Sequence, residues 1–368
     1  YLTFCYDIKR SLHDNIAFDT TRKVKWAMLD VVIHDRSYEK LAQIDARAER
    51  LRSFGPFSEA MQLSLASYDG DFLVRMAYNS NAIEGSTLTL LETEIVYEGE
   101  FVSGKPGRDQ IAARGIFEGH AFAQRALEDR RPISEDFIKD LHERTALDLQ
   151  PRARGSYRNA PALIRASRTV PVGALKIRPC MADLLCDLET YRQAYHPVIV
   201  AAWFHAAFER IHPFADGNGR TGRLLLNHML ERRGYPPIAI KVDHALEYRA
   251  ALESWQVDGE QDPFVELVIT CLDEELSSRI AYVEQGVASE CALATAKRSA
   301  ASDRKAQALE SLRAHPDHTA QKLGEDLGVS PRQAQRLIRQ LREEGLVVRE
   351  GSNKRGRWVV RNGCEGEV

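Results

Sequence analysis

The sequence predicts a mainly α-helical protein of two or more domains, with one small β-hairpin in its helical body and another near its C-terminal end. Three observations favour this class. Apolar residues recur at spacings of three and four through most of the chain, which is the period of an amphipathic helix. The 368 residues exceed the size of an ordinary single core. Short alternating apolar and polar segments, typical of strands, are few.

The composition narrows the class further. Hydrophobic residues make up 44% and charged residues 28% of the chain, which is typical of a globular protein and argues against a membrane-spanning one. The first residues contain no basic segment followed by a long apolar stretch, so no signal peptide is predicted. The cysteines form no CxxC pair, which favours reduced thiols and a cytoplasmic location. They are Cys5, Cys180, Cys186, Cys271, Cys291 and Cys364.

The helical pattern divides the chain into four regions. We predict an N-terminal helical region over 1–130, a helical core over 131–290, a linker over 291–302 and a C-terminal domain over 303–361. The linker is predicted because the segment is small and polar, which indicates either a linker or a weakly packed helix. The predicted helices of the first two regions are Tyr38 to Leu51, Leu90 to Val96, Ile111 to Leu127, Glu135 to Leu147, Met181 to Tyr195, Pro197 to Ile211, Thr221 to Arg233 and Pro263 to Glu284.

A short segment between two of these helices breaks the helical pattern. From Ala162 to Val172 an apolar run, a polar centre and a β-branched run follow one another, which predicts a small hairpin. Its apolar residues are Leu163, Ile164, Val170 and Val172.

The C-terminal region has its own order of elements. Helices are predicted at Asp303 to Ala314, after the N-cap Thr319, and from Ser330 to Glu344, before a hairpin with a turn at Gly351 to Asn353. Three helices followed by a hairpin is the order of a winged helix-turn-helix. Residues 330–361 contain nine Lys or Arg against three Glu, a charge that suits DNA, and Arg332, Arg336 and Arg339 share one helix. The alternative is a dimerisation or adaptor domain with a solvated helix face.

A glycine-rich segment follows the apolar helix Pro197 to Ile211. It reads His-Pro-Phe-Ala-Asp-Gly-Asn-Gly-Arg-Thr-Gly-Arg over residues 212–223. Gly217, Asn218 and Gly219 lie just before a helix, where backbone N–H groups bind phosphate and only glycine allows close approach. Arg220 and Arg223 lie three apart and add charge-assisted contacts to a polyphosphate. The segment therefore predicts a nucleotide site.

Two further side chains supply chemistry. Asp216 lies at the mouth of the glycine-rich turn, and one carboxylate with phosphate oxygens is a common way to hold Mg²⁺. His212 precedes it by four residues, and a neutral imidazole accepts a proton from a hydroxyl near neutral pH. Phe214 is expected to point inward and anchor the loop. Each residue alone has a structural explanation, but their combination within twelve residues favours catalysis.

This segment resembles the signature of Fic-domain proteins, His-x-Phe-x-(Asp/Glu)-Gly-Asn-Gly-Arg-x-x-Arg, at every specified position. The resemblance extends over roughly residues 78–276. It implies transfer of AMP from ATP to a Ser, Thr or Tyr hydroxyl of a target protein, with pyrophosphate leaving. His212 would be the base, Asp216 would bind Mg²⁺, Asn218 and Gly219 would hold the α-phosphate, and Arg220 and Arg223 would face the outer phosphates. Gly219, where a related kinase branch carries Lys, favours nucleotide transfer over phosphorylation.

The resemblance assigns roles outside the motif as well. The 162–172 hairpin would be a flap that docks a target segment by strand addition. Tyr248 would line the adenosine pocket, Gln256 departs from the polar residue that the family carries nearby, and His205 is expected to be a core residue. A homodimer is also implied.

An upstream segment resembles the family's inhibitory pattern, (Ser/Thr)-x-x-x-Glu-(Gly/Asn). It comprises Ser80, Glu84 and Gly85 in a helix predicted at about 78–86. Glu84 would pair with Arg223 and keep that arginine from the γ-phosphate, so nucleotide would bind unproductively. In some relatives such a glutamate also supports removal of AMP.

Two functional hypotheses from different classes remain. The first is an autoinhibited AMP transferase that its C-terminal domain recruits to DNA or to a protein. The second is a DNA-binding transcriptional regulator whose core only senses a nucleotide. The complete motif with His212 favours the first.

Overall fold

A computed structural model describes residues 33–164, 167–351 and 356–361. The chain separates into two compact units, Tyr1–Ala281 and Tyr282–Val368. The predicted region 1–130 therefore lies partly outside the described residues, which begin at Ile33.

The described part of the first unit is helical. Its helices are α1 (Asp35–Ser53), α2 (Glu59–Ile83), α3 (Leu90–Tyr97), α4 (Gly107–Glu128), α5 (Glu135–Thr145), α6 (Ile177–Ala194), α7 (Pro197–Ile211), α8 (Asn218–Glu231), α9 (Ala245–Glu253) and α10 (Asp262–Ala314). The predicted predominance of helix is confirmed. The predicted inhibitory helix at about 78–86 is the last turn of α2, a helix of 25 residues that begins after the N-cap Ser58.

Helix α7 forms the centre of the first unit. Twelve of its fifteen residues are buried, so it is surrounded on every face and not amphipathic. Phe204 and Phe208 from this helix are fully buried, as are Phe214 from the following loop and Phe264 from α10. Because aromatic side chains bury large apolar areas, this packing fixes the C-terminal end of α7.

The predicted hairpin at 162–172 is wrong for the residues that the structure describes there. No strand is assigned to 162–164 or 167–172, although the backbone is not helical either. Pro161 and Pro171 lack the N–H groups that a strand ladder needs. Side chains hold the segment instead, because Arg158 donates to the carbonyl oxygens of Ala160 and Val172.

Helix α10 has 53 residues and continues through the predicted linker at 291–302. The segment contains several alanines and neither Pro nor Gly, so its intrinsic helix propensity is high. Its described side chains are exposed, which corresponds to the weakly packed helix of the two alternatives.

The second unit contains the end of α10, α11 (Ala320–Asp326), α12 (Pro331–Glu343), β1 (Val347–Glu350) and β2 (Arg357–Val360). The strands are antiparallel, with Val347 opposite Val360. A capping box between Ser330 and Gln333 starts α12. The core of this unit contains Leu312, Leu323, Leu341 and Trp358. The predicted helices and hairpin are present, and Ser352 and Asn353 of the predicted turn lie outside the described residues.

The composition predicted that the chain does not span a membrane and that its cysteines are reduced. No helix among them combines the length and apolarity needed to cross a bilayer. Cys180, Cys186, Cys271 and Cys291 are free thiols, as expected, whereas Cys5 and Cys364 lie outside the described residues.

Candidate active site

The predicted motif forms a closed loop between α7 and α8. His212 ends α7 in the left-handed region, with φ 51° and ψ 58°, and Gly217 precedes α8 with φ 77°. The side chain of Asn218 closes the loop, because its Oδ1 accepts from the N–H of Phe214 and its Nδ2 donates to the same residue's carbonyl, both at 2.9 Å. The Asn218 amide is therefore engaged in holding the loop, which leaves its backbone N–H at the start of α8 for an anion.

His142 supports this loop from α5. Its ring stacks on Phe214 with centroids 3.7 Å apart. Its Nδ1 accepts from the N–H of Gly155, so the other ring nitrogen donates to the carbonyl of Asp216 at 2.9 Å. Burial lowers the pKa of His142 to about 4, which keeps the ring neutral in this role.

The imidazole of His212 is mostly enclosed, with 20% of its side chain exposed. Burial lowers its pKa, so the neutral form that accepts a proton prevails near pH 7. Its Nδ1 is buried and has no hydrogen-bond partner among the described residues. The nearest carboxylate is Glu209, whose Oε2 lies 3.9 Å away.

Arg158 connects the loop to the extended segment that precedes α6. Its side chain donates to the carbonyl oxygen of His212 at 2.8 Å, and its backbone N–H donates to that of Pro213 at 2.9 Å. The same guanidinium binds the carbonyl oxygens of Ala160 and Val172. This buried arginine thus fixes the extended segment beside the candidate base.

Two further contacts hold the extended segment. Arg168 forms ion pairs with Glu253 and with Asp258, both at 2.6 Å. The hydroxyl of Thr169 donates to Gln256, whose amide donates in turn to the carbonyl of Ala206 at 2.9 Å. Gln256 is therefore a structural tie to α7 in this arrangement.

The four predicted flap residues differ in exposure. Leu163 and Val170 are 90% and 81% exposed, and Ile164 is half-buried. Val172 is only 5% exposed and belongs to the core. The prediction that Val172 faces a target is therefore wrong, because Arg158 draws its carbonyl inward and the side chain packs with the helices.

Arg223 lies buried between α8 and the end of α2. Its Nε donates to Ser80 Oγ and its Nη2 to the Ser80 carbonyl, both at 2.9 Å. Nη2 also donates to Glu84 Oε1 at 2.7 Å. The carbonyls of a helix's last turn lack partners within the helix, so the guanidinium completes α2. Gly85, with φ 91°, then turns the chain away.

The Glu84 carboxylate lies against the first turn of α8. A Cβ atom at Gly219 would fall 2.2 Å from Glu84 Oε1, so only glycine allows this approach. Burial would raise the pKa of Glu84, but the guanidinium of Arg223 holds it below its usual value. Burial also opposes the charge of Arg223, whose pKa the Glu84 carboxylate nevertheless raises. The pair is fully ionised, and one anion already faces the helix N-terminus.

A second charge network lies on the other side of the loop. Arg220 is buried and pairs with Asp148 through two hydrogen bonds of 2.8 and 3.2 Å. Arg108, at the start of α4, pairs with both Asp148 and Asp216. Asp216 is half-exposed and its Oδ1 also accepts from the N–H of Gly217 at 2.7 Å. The candidate metal ligand thus has a cationic partner here.

Tyr248 contacts Arg223 from the buried side of the site. Its hydroxyl forms a hydrogen bond with His205 Nε2 at 2.8 Å and lies 3.5 Å from Arg223 Nη1. His205 is fully buried, as expected for a core residue, and burial lowers its pKa to about 3. Tyr248 is 3% exposed, so its hydroxyl supports the arginine from the core.

The structure thus brings together His212, Asp216, the residues 217–219, Arg220, Arg223, Ser80 and Glu84. Arg332, Arg336 and Arg339 lie on α12 in the second unit. Sequence reasoning missed five residues that position the site, namely Arg108, His142, Asp148, Arg158 and Glu209. Only Glu209 carried a signal, because it is an acidic residue in an otherwise apolar helix, one turn before His212.

Fold and site define a helical protein in which a glycine-rich loop opens a helix, a neutral histidine lies beside that loop, and Glu84 pairs with Arg223. Residues 132–230 match the model of the Fic/DOC family. The protein adenylyltransferase Fic of Nematostella vectensis is 29% identical over 253 residues, which cover 66% of this chain and 56% of that protein. The chain spans about half the length of the curated relatives it matches.

Two solved structures are also similar. A Fic domain-containing signaling protein from Bacteroides thetaiotaomicron has a TM-score of 0.60 at 26% identity, covering 67% of this chain and 97% of that one. A Fic family protein from Desulfovibrio desulfuricans has a TM-score of 0.57 at 25% identity, covering 91% and 98%. The chain contains a Fic/DOC family domain.

Proposed function

We propose that this protein is an adenylyltransferase that moves AMP from ATP to a Ser, Thr or Tyr hydroxyl of a target protein. The observation that carries the proposal is the position of the neutral His212 beside the N-terminus of α8, where Gly219 leaves room for an anion. Helix N-termini bind phosphate, and a base beside a bound phosphate activates a hydroxyl for attack on it. Curated relatives that carry the name adenylyltransferase support the same reaction.

Each residue then has a role in the transfer. His212 takes the proton of the target hydroxyl while its oxygen bonds to the α-phosphorus, and the bond to pyrophosphate breaks. The backbone N–H groups at the start of α8 hold the α-phosphate, and Arg220 and Arg223 neutralise the outer phosphates. The exposed Leu163 and Val170 lie on the extended segment that would receive the target by strand addition.

Mg²⁺ fits this site through a single protein ligand. No group of three or more His, Cys, Asp or Glu residues suited to a metal occurs in the described part of the chain. Magnesium bound with a nucleotide needs only one or two carboxylates beside phosphates and water, and the half-exposed Asp216 supplies one. The ion would neutralise phosphate charge, and Arg108 must release Asp216 first.

The pairing of Glu84 with Arg223 makes this a restrained enzyme. Arg223 has three short contacts to α2, so it cannot also hold a γ-phosphate. The carboxylate beside Gly219 further repels a triphosphate. A nucleotide that binds without Arg223 is held in an unproductive position, so the resting protein has low activity.

The test is incorporation of labelled AMP in a cell lysate with ATP and Mg²⁺. Loss of a charge-assisted contact worth about 1.5–3 kcal/mol should raise incorporation about tenfold or more in Glu84→Gly. His212→Ala in that background should lower it by about 10²–10⁴. Glu100→Gly, which removes an exposed glutamate outside α2, is the control. Incorporation that is the same in all variants would contradict the proposal.

A reverse reaction is proposed at the same site. Glu84 lies next to Gly219 and can orient water toward a modified hydroxyl, which would release AMP. Release from a modified target should therefore be lost in Glu84→Gly. Persistent release in that variant would show that the glutamate is not needed.

A second function concerns the C-terminal unit. Arg332, Arg336 and Arg339 are exposed on α12, and no ion-pair partner for them occurs among the residues that the structure describes. We propose that this helix lies in a DNA groove as part of a winged helix-turn-helix. Gel shifts of the full chain should weaken as salt rises and in a triple Ala variant. DNA binding that does not change with salt concentration, or no DNA binding, would indicate a protein partner for this unit. DNA binding by a protein that has no transferase activity would favour the nucleotide-sensing regulator.

A further inference from the structure

One acidic side chain inside the site has no role in the reaction described above. Glu209 lies on α7, one turn before His212, and it is 7% exposed. Its Oε1 is buried without a hydrogen-bond partner among the described residues. Unpartnered buried carboxyl oxygens are rare in folded proteins and call for an explanation.

The surroundings of Glu209 fix where its carboxyl group lies. A Cβ atom at Gly222 would fall 2.2 Å from Glu209 Oε1 and 3.1 Å from His205 Cε1. The carboxyl group is therefore enclosed between α7 and the first turn of α8, in a space that only glycine at position 222 provides. Its other oxygen, Oε2, faces His212 Nδ1 at 3.9 Å.

His212 Nδ1 has the complementary deficiency. It is buried and makes no hydrogen bond of standard geometry among the described residues. Two acceptors of Glu209 face the ring: its backbone carbonyl, which raises the pKa of His212, and its carboxyl oxygen Oε2, which lies 3.9 Å from Nδ1. A histidine that acts as a base needs one nitrogen free to accept a proton. A second group that accepts the hydrogen of the other nitrogen fixes both the tautomer and the ring orientation.

We propose that Glu209 is the positioning residue for His212: its carboxyl oxygen accepts the Nδ1 hydrogen and leaves Nε2 unprotonated toward the target hydroxyl. This inference rests on the proposed function for its catalytic consequence, but not for the tautomer itself. The two atoms are 3.9 Å apart and must approach by about 1 Å to reach hydrogen-bond distance. The proton of the target hydroxyl then goes to Nε2, and the imidazolium is stabilised by the oxygen that faces Nδ1.

The electrostatics of the cavity agree with this role. Burial raises the pKa of Glu209 to about 8, Arg223 opposes that rise, and Glu84 adds to it. In the restrained state the acid is therefore largely neutral, and its carbonyl oxygen remains an acceptor. When Glu84 moves away, its negative charge no longer raises the pKa of Glu209, so the ionised form of Glu209 is favoured. The Glu209 carboxylate is a stronger acceptor than the neutral acid and a better partner for the His212 imidazolium.

The experiment reads the tautomer directly. Nitrogen NMR of isotope-labelled histidine distinguishes protonated Nδ1 from protonated Nε2, and the His212 signals among the eleven histidines are identified by their loss in His212→Ala. At pH 7.5 the wild-type protein should show Nδ1 protonated. Glu209→Leu, of similar volume without an acceptor, should shift His212 to the form protonated at Nε2.

A second variant disturbs the same carboxyl group through its other oxygen, Oε1. Gly222→Ala places a methyl group where the Glu209 carboxyl lies and should shift the tautomer in the same direction without changing residue 209. Glu231→Leu is the matched control, because Glu231 is another glutamate whose pKa burial raises, to about 7, at the far end of α8. The His212 tautomer should be unchanged in this control.

Kinetics give the second reading. In the Glu84→Gly background, Glu209→Leu should lower kcat at least tenfold and leave the KM for ATP within a factor of two, because the residue touches the base and not the nucleotide. An unchanged His212 tautomer in both variants would overturn the proposal. If the His212 tautomer changes in both variants but the protein has no transferase activity, Glu209 still positions His212 and the proposed function is wrong instead.

Discussion

Arg223 Nη2 lies 2.7 Å from Glu84 Oε1, although the two residues are 139 positions apart in the chain. The two side chains differ in burial, with 7% of Arg223 and 44% of Glu84 exposed. The arginine is also fixed by Ser80, whereas no second hydrogen bond to the Glu84 carboxylate occurs within the part of the chain that the structure describes. Removing the buried cation would leave α2 with an unpaired carbonyl. In the proposed restraint, Glu84 and not Arg223 is therefore the side chain that we expect to move.

Removal of Arg108 should make the site easier to load with magnesium. Arg108→Ala frees the Asp216 oxygen that the guanidinium holds, so the Mg²⁺ concentration for half-maximal transfer in Glu84→Gly should fall severalfold. Arg114→Ala is the control, since Arg114 lies on the same helix, is similarly exposed and pairs with Glu118. Equal magnesium dependence in both variants would show that Arg108 does not compete with the ion.

The buried pair of Arg220 and Asp148 should contribute to folding more than surface pairs do. Both side chains are at most 4% exposed, so Asp148→Ala leaves a buried unpaired guanidinium and should lower the free energy of unfolding by about 3–5 kcal/mol. Asp71→Ala, which breaks an exposed pair with Arg75, should cost less than about 1 kcal/mol. Urea denaturation measures both, and similar losses would refute the distinction.

Gly219 should be required for transfer even when the restraint is absent. A methyl group there would lie 2.9 Å from Arg223 Nη1 and would occupy the space in which we place the phosphate. Transfer by Glu84→Gly should therefore fall at least tenfold when Gly219→Ala is added. Gly70→Ala meets only an ordinary contact at 3.8 Å with Tyr97 and should leave transfer unchanged. Full transfer activity of the Gly219→Ala variant would show that the phosphate does not bind beside Gly219.

Three buried histidines should stabilise the first unit less in mild acid. Burial lowers the pKa of His142 and His228 to about 4 and that of His205 to about 3. The unfolded chain binds protons below about pH 6.5 that these folded histidines do not, so their contribution to stability is complete above that pH and falls as pH drops toward 4, whereas the raised pKa values of Glu209 and Glu231 act in the opposite direction. Each histidine contributes a slope of about 1.4 kcal/mol per pH unit.

His228 provides the check on this pH dependence. Both of its ring nitrogens are buried without partners among the described residues, and the ring packs on Phe137. In His228→Leu the free energy of unfolding between pH 4.5 and 6 should depend less steeply on pH, by about 1.4 kcal/mol per unit. An unchanged slope would mean that this ring is protonated in the folded state.

Local sequence patterns predicted the helices and the loop but not the contacts that position it. The chain from His212 to Arg223 is continuous, so spacing alone places a base, an acid and two cations around one turn. Arg158 and Asp148 come from other segments and carry no local pattern, and their roles arise only from tertiary contacts. The side-chain amide of Asn218 closes the loop on Phe214, a contact that the local pattern did not predict, while its expected contact with phosphate through the backbone N–H stays a prediction.

The errors have identifiable physical causes. The segment 162–172 has the composition of a hairpin, but side-chain contacts from Arg158 replace the strand ladder and bury Val172. The segment 291–302 is polar, yet its alanines favour a helix, and polarity alone does not distinguish an exposed helix from a linker. The local pattern misjudged the backbone of the first segment, whereas for the second it left two alternatives open, of which the weakly packed helix is present.

The order of synthesis gives the restraint another property. Helix α2 leaves the ribosome before α8, and at about 5–20 residues per second the 139 residues between Glu84 and Arg223 take on the order of ten seconds to make. Glu84 is therefore already synthesised when the loop and Arg223 emerge. If Glu84 restrains the site as proposed, a newly made chain need never pass through a stage in which the loop is complete and Arg223 lacks its carboxylate partner.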